Sequence, residues 1–119
     1  MESFDIISNF NNILRESGCK DSVRLVLQRT ITPHDTIRAY KTYTYTLWYI
    51  NGKDKHKVAV MEHTDRVATD SEASRMVKYM DDRLLEFTYR LLLGSDMTLK
   101  DMIDGTFTGY DGVRCTRKD

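Results

Sequence analysis

The feature that most constrains this chain is a run of alternating side chains over residues 36–50. Threonine and aromatic residues at this density favour a β-strand over a helix, because such side chains fit a pleated surface. Successive side chains of a strand point to opposite faces. The odd-numbered face is the more apolar, so we predict that it faces the core: Ile37, Ala39, Lys41, Tyr43, Tyr45, Leu47 and Tyr49.

Two features of this run predict its neighbours in a sheet. Lys41 interrupts the apolar face, which indicates a bulge or a bend at that position. Asn51-Gly52 directly follows the run and is typical of a tight hairpin turn, so residues 55–63 are the predicted return strand. Residues 23–31 are the predicted strand before the run over residues 36–50, and a turn at Pro33 connects these two strands. Together these segments predict a three-stranded antiparallel meander.

Two amphipathic helices flank the predicted sheet. Residues 4–17 carry apolar side chains at steps of three and four, with Ser3 as the expected N-cap and Gly18 as the stop. A longer helix begins near Thr69 to Ser71 and ends at Gly94. Its apolar stripe comprises Ala73, Val77, Met80, Leu84, Phe87 and Leu91.

The order of these elements predicts an α+β fold of the form α-β-β-β-α-α. A length of 119 residues suits a single domain over residues 1–119. Residues 1–94 form its core in this prediction. Residues 95–119 form a C-terminal cap, with a short helix over residues 98–103 followed by a loop or a small hairpin.

The helix–strand–strand–strand–helix order resembles that of double-stranded-RNA-binding domains and of the Alu-domain proteins of the signal recognition particle. The last helix begins Asp70-Ser71-Glu72, where the first family is basic. The segment from Phe87 to Lys100 is similar to the second family, but the strongly basic character of that family is absent. The chain is assigned to neither.

Composition narrows the classes of function. Lysine plus arginine equals aspartate plus glutamate at 18 each, which argues against a general nucleic-acid binder. No apolar run approaches the roughly 18 residues of a transmembrane helix, and the acidic, polar start does not resemble a signal peptide. The two cysteines, Cys19 and Cys115, are expected to be reduced thiols in a cytoplasmic protein.

No motif in the chain predicts catalysis, a metal or a cofactor. His34, His56 and His63 stand at predicted turns or strand ends, where solvated histidines are the simplest interpretation. The glycines lack the spacing of a phosphate-binding loop, and the C-terminal aspartates lack that of a calcium loop. An enzyme would need a pocket that holds a histidine and a carboxylate within hydrogen-bond reach.

The even-numbered face of the central strand is the candidate binding surface. We expect it to point away from the helices, and large aromatic side chains beside hydroxyl groups are typical of protein interfaces. Its residues are the predicted contacts with a protein partner: Tyr40, Thr42, Thr44, Thr46 and Trp48.

The middle of the chain is basic, since residues 23–67 carry eight basic and four acidic side chains. Basic residues beside an aromatic platform are also how sheets hold RNA. The candidate contacts with an anion or RNA are Arg24, Arg38, Lys53, Lys55, His56 and Lys57.

The sequence therefore predicts a small, non-catalytic interaction protein, such as an adaptor, assembly subunit or inhibitor. It is expected to form a homodimer or to bind a protein partner through the open sheet face and the basic hairpin. The alternative is a small RNA-binding module that uses the same hairpin.

Overall fold

The computed structural model describes residues 2–19 and 22–93 of the chain. The elements follow in the order α1 (Ser3–Glu16), β1 (Val23–Pro33), β2 (Tyr40–Asn51), β3 (Asp54–Arg66) and α2 (Asp70–Leu93). This is an α+β arrangement, as the sequence predicts. The predicted short helix over residues 98–103 and the rest of the predicted cap lie outside the described residues.

The three strands form one antiparallel sheet with β2 in the centre. Leu47 of β2 lies opposite Leu27 of β1 on one side and Ala59 of β3 on the other. Gly52 turns the chain between β2 and β3 at a φ of 62°, a backbone conformation that favours glycine. The predicted meander is confirmed.

The core lies between the two helices and the odd-numbered face of β2. Tyr43, Tyr45, Leu47 and Tyr49 are all buried on this face. From α1 the core takes Ile6, Phe10 and Leu14, and from α2 it takes the predicted stripe, with Met80 and Leu84 fully buried. Burial of this apolar surface is the main stabilisation available to a domain of this size.

The prediction that β2 begins at residue 36 is wrong. Residues 34–39 form a loop, so Ile37 and Ala39 do not belong to the core face of the strand, and Ile37 is 50% exposed. The His34 ring stabilises this loop, because its Nδ1 accepts hydrogen bonds from the backbone N–H groups of Thr36 and Ile37 at 3.3 and 3.1 Å. These local bonds outweigh the strand propensity of the segment.

The sheet contains an irregularity, but not at the predicted position. The strand register continues through Lys41, which lies opposite Asp65, so the bulge or bend predicted there is wrong. The register instead shifts between Leu47 and Trp48, which leaves Val58 of β3 without an opposing residue. Val58 and Ala59 are consecutive and both fully buried, which a regular alternating strand does not allow.

Ser3 does not cap α1 as predicted, because it is the first residue of the helix. Glu2 occupies the N-cap position and makes no capping hydrogen bond through its side chain. The Ser3 hydroxyl instead donates to Asp81 on α2, and the Tyr45 hydroxyl donates to the same carboxylate oxygen at 3.1 Å. This buried polar cluster joins α1, β2 and α2 across the core.

Two buried tyrosines lead to a prediction about alkaline stability. Burial raises the pKa of Tyr45 above its ordinary value of 10.0, and the charge of Asp81 acts in the same direction. Burial also raises the pKa of Tyr49. Above pH 10 the unfolded chain loses these protons while the folded chain keeps them. We expect the free energy of unfolding to fall as the pH rises above 10, as measured by urea denaturation.

The tyrosines can be tested one at a time. Tyr49→Phe should reduce the loss of stability between pH 9 and 11, because it removes one of the shifted groups. Tyr89→Phe is the matched control on an exposed tyrosine, and it should leave the loss unchanged. An equal loss in the wild type and in Tyr49→Phe would contradict the assignment.

Candidate functional site

The described part of the chain leaves one face of the sheet uncovered by α1 and α2. Both helices pack on the odd-numbered face of β2, so the even-numbered face points away from them. Its central residues are half-buried and none is enclosed within the core. We call this surface the open sheet face. Its residues are Arg24, Val26, Gln28, Thr30 and Thr32 of β1, Tyr40, Thr42, Thr44, Thr46, Trp48 and Ile50 of β2, and Lys55, Lys57, Val60, Glu62, Thr64 and Arg66 of β3.

The strand register gathers several predicted contacts at the end of this face near Gly52. One row across the sheet joins Arg24, Ile50 and Lys55. The next row joins Val26, Trp48 and Lys57. Three cations and one indole therefore share this end, which we call the basic aromatic end.

Trp48 is held by neighbours from both adjacent strands. Its indole Nε1–H donates to Oε1 of Gln28 on β1 at 3.0 Å. The Nζ atoms of Lys55 and Lys57 on β3 lie 4.1 and 5.4 Å from the centre of a Trp48 ring, within the range of cation–π attraction. These contacts orient the ring and place two ammonium groups beside it.

The other half of the open sheet face is lined with hydroxyl groups. The Thr42 and Thr64 hydroxyls share a hydrogen bond at 2.7 Å. The Thr44 hydroxyl donates to the Glu62 carboxylate at 3.5 Å. Cross-strand pairs of this kind stabilise the sheet and leave a polar surface with one acidic side chain.

The structure does not bring all the predicted contacts together. Arg38 lies in the loop before β2, and the twelve-residue strand separates it from the basic aromatic end by roughly 35–40 Å. Tyr40 lies at the same distant end, opposite Arg66. His56 lies opposite Tyr49 and stacks near that buried ring on the helix side of the sheet. Lys53 lies in the turn itself.

A second concave region lies between β3 and α2. This groove of about 410 Å³ is lined by His63, Asp65, Arg66, Glu72, Arg75, Met76 and Tyr79. His63 Nε2 lies 3.6 Å from the Asp65 carboxylate, beyond hydrogen-bond reach, and its ring packs on Tyr79. None of the described residues that line the groove is a serine, threonine or cysteine, and no hydrogen bond to Asp65 orients the His63 ring.

Within residues 2–19 and 22–93 no three histidine, cysteine, aspartate or glutamate side chains lie close enough to hold a metal ion. No helix there is both long and apolar enough to span a membrane.

No protein-family model, curated protein or solved structure matches this chain at a significant level. The function must therefore be inferred from the chain's own residues.

Sequence reasoning did not identify two polar contacts that shape these surfaces. Gln28, which binds the Trp48 indole, is twenty residues away from it, and only the register of β1 against β2 brings them together. Asn11 of α1 binds both the N–H and the C=O of Leu25. Asn11 stands on the polar side of a predicted helix, and no sequence signal connects it to a strand.

The basic aromatic end can be tested by spectroscopy, since Trp48 is the only tryptophan. Lys55→Met should shift the emission of Trp48 and lower the free energy of unfolding by about 0.5–1 kcal/mol, because a cation–π contact is lost. Lys53→Met is the control from the adjacent turn. An equal effect of both substitutions on emission and stability would contradict the assigned geometry.

Proposed function

We propose that this protein is a non-catalytic interaction module that binds a protein partner through the open sheet face. The observation that carries the proposal is that the described helices cover only one face of the sheet. Both helices pack on the odd-numbered face, while the opposite face carries the half-buried Trp48. Oriented aromatic side chains surrounded by polar groups are typical of residues that dominate binding energy.

The charges of the open sheet face favour an acidic partner. Four basic side chains, Arg24, Lys55, Lys57 and Arg66, share this face with one acidic side chain, Glu62. Three of the four lie at the basic aromatic end, so two copies with these ends in contact would repel each other. A partner with carboxylates opposite this end would be attracted and guided into register.

The arrangement around Trp48 favours a protein over RNA. A base would have to stack on the indole ring, but Lys55 Nζ already lies 4.1 Å from a ring centre. The distant Arg38 also leaves the predicted RNA contacts divided between two ends of the sheet. RNA binding through the hairpin stays an alternative prediction, and it would be recognised by an affinity that falls steeply with salt concentration.

The absence of catalysis is part of the proposal. The groove between β3 and α2 brings His63 and Asp65 near each other, but at 3.6 Å, and none of its described lining residues is a serine, threonine or cysteine. The cytoplasmic location expected from the two cysteines is also part of the proposal.

Site-specific photo-crosslinking in cells of the native host tests the open sheet face. A photoreactive phenylalanine at Thr44 would lie at the centre of the face, and one at Tyr89 would lie on the exposed side of α2. We expect a covalent product with an acidic protein from position 44 and not from position 89. Mass spectrometry would identify the partner.

The purified partner then allows the affinity to be measured by calorimetry. Trp48→Ala should weaken binding about 30-fold, the loss of about 2 kcal/mol that is typical of a dominant interface residue. Lys55→Glu should weaken binding and reduce its salt dependence, while the control Lys78→Glu on α2 should change neither.

Two outcomes would overturn the proposal. One is that position 44 gives no crosslinked product, whether or not position 89 gives one. The other is salt-dependent binding of a single-stranded RNA oligomer that is lost when Lys53, Lys55 and Lys57 are replaced by glutamine.

A further inference from the structure

Hydrogen bonds at the two ends of β1 show which of its residues direct their backbone groups toward β2 and which direct them outward. The Ser22 C=O accepts from Gly52 N–H and the His34 N–H donates to Tyr40 C=O, both at 3.0 Å. Even-numbered residues of β1 therefore bond to β2. In an antiparallel ladder the backbone groups of alternate residues point to opposite sides of the strand. The N–H and C=O of the odd-numbered residues of β1 therefore point outward, away from β2.

Asn11 occupies only one position of this edge. Its side-chain amide accepts from Leu25 N–H at 2.8 Å and donates to Leu25 C=O at 3.0 Å, as a neighbouring strand would. Beyond it, the outward groups of Leu27, Arg29 and Ile31 meet no partner among the described residues. Pro33 has no N–H and ends the strand. A free edge is thus limited to residues 27–33.

Apolar side chains lie exposed beside this free edge. Ile31 is 55% exposed although it stands on the helix side of the sheet, and Phe4 at the start of α1 is 73% exposed. The Arg29 guanidinium lies 5.8 Å from the centre of the Phe4 ring. A groove of about 430 Å³ runs between α1 and β1, with Phe4, Ile7, Leu27 and Arg29 in its lining.

The edge of β3 differs from that of β1. The even-numbered residues of β2 bond to β1, so its odd-numbered residues bond to β3. The backbone groups that point outward from β3 therefore belong to Lys55, Lys57, Val60, Glu62, Thr64 and Arg66. This edge carries Glu62, Asp65 and Arg66 within five residues. Closely spaced charges are a common protection of a sheet edge against pairing, so β1 is the less protected edge.

We propose that the free edge of β1 pairs with β1 of a second copy of this chain, antiparallel and with the two-fold axis at Thr30. In this register Arg29 lies opposite Ile31 of the second copy, and Leu27 lies opposite Pro33 of the second copy. A two-fold axis at Arg29 would instead place two guanidinium groups opposite each other, which is unfavourable.

The position of α1 supports a second copy as the occupant. Phe4 lies near Arg29 and Asn11 binds Leu25, so α1 runs from the middle of β1 back toward its start. With the axis at Thr30, this direction makes the two α1 helices extend away from each other. Their first turns meet near the axis, where each Phe4 covers apolar surface that includes Ile31 of the second copy.

The proposed dimer goes beyond the proposed function and uses a different surface. It joins two three-stranded sheets into one six-stranded sheet, with all helices on one side. The two open sheet faces then become continuous, with a basic aromatic end at each extremity. A partner could engage both copies, which increases the effective affinity.

Molar mass in solution tests the dimer directly. We expect light scattering at about 100 µM to give twice the chain mass of 13.9 kDa, since a short strand pair implies a micromolar Kd. Arg29→Pro removes an outward N–H without touching a bond to β2, and it should return the mass to one chain. Glu62→Pro is the matched control on the edge of β3 and should leave the dimer intact.

Disulfide trapping tests the register and does not depend on the proline variants. In a non-hydrogen-bonded antiparallel pair the Cα atoms lie about 4.5 Å apart, which suits a disulfide. Thr30→Cys should therefore give a covalent dimer under mild oxidation. Thr64→Cys, on the other edge, should give no more covalent dimer than the wild type, which retains Cys19 and Cys115.

The outcomes separate this inference from the proposed function. A monomer at 100 µM, or no trapping at position 30 above that at position 64, would overturn the edge dimer. A dimer that Arg29→Pro leaves intact and Trp48→Ala dissociates would show that copies associate through the open sheet face instead. The first two results leave the crosslinking of an acidic partner from position 44 unaffected, whereas the third would give a crosslink between two copies from position 44.

Discussion

The structure depends on the packing of both helices against a single face of β2. Tyr43, Tyr45, Leu47 and Tyr49 supply that face, and they bury large side chains that the helical stripes cover. A sheet of three strands has two faces, and both described helices pack on one of them, so no helix within residues 2–19 and 22–93 covers the other. The same packing that stabilises the domain therefore produces the surface on which the proposed function rests.

The buried polar cluster shows how the helices are held in this position. Asp81 of α2 accepts hydrogen bonds from Ser3 of α1 and from Tyr45 of β2. A buried carboxylate is costly unless it is hydrogen-bonded, so an arrangement that separates these elements would leave Asp81 without compensation. The apolar contacts supply most of the stability, and the cluster favours one relative placement of the three elements.

Prediction from sequence succeeded for structure that a repeating pattern specifies, and it failed for structure that a single contact determines. The alternation of β2 and the stripe of α2 each involve many residues, so the sheet, its order and its core face were predictable. The loop over residues 34–39 depends on one histidine ring, and the bulge depends on the fit of Val58 against the core. At the candidate site, Trp48 with Lys55 and Lys57 was expected as a group. Arg38 instead lies before the start of β2, at the other end of the sheet, and His56 lies on the opposite face.

The sequence by itself determined the order of the two described helices and the three strands and which side of β2 faces inward, because these properties follow from local periodicity. It also placed the basic residues in the middle of the chain. Only the tertiary structure decided that Gln28 binds Trp48, that Asn11 covers one position of the β1 edge, and that the rest of this edge meets no partner among the described residues. Those contacts join residues distant in sequence, and their geometry is set by strand register and helix placement, which no local pattern encodes.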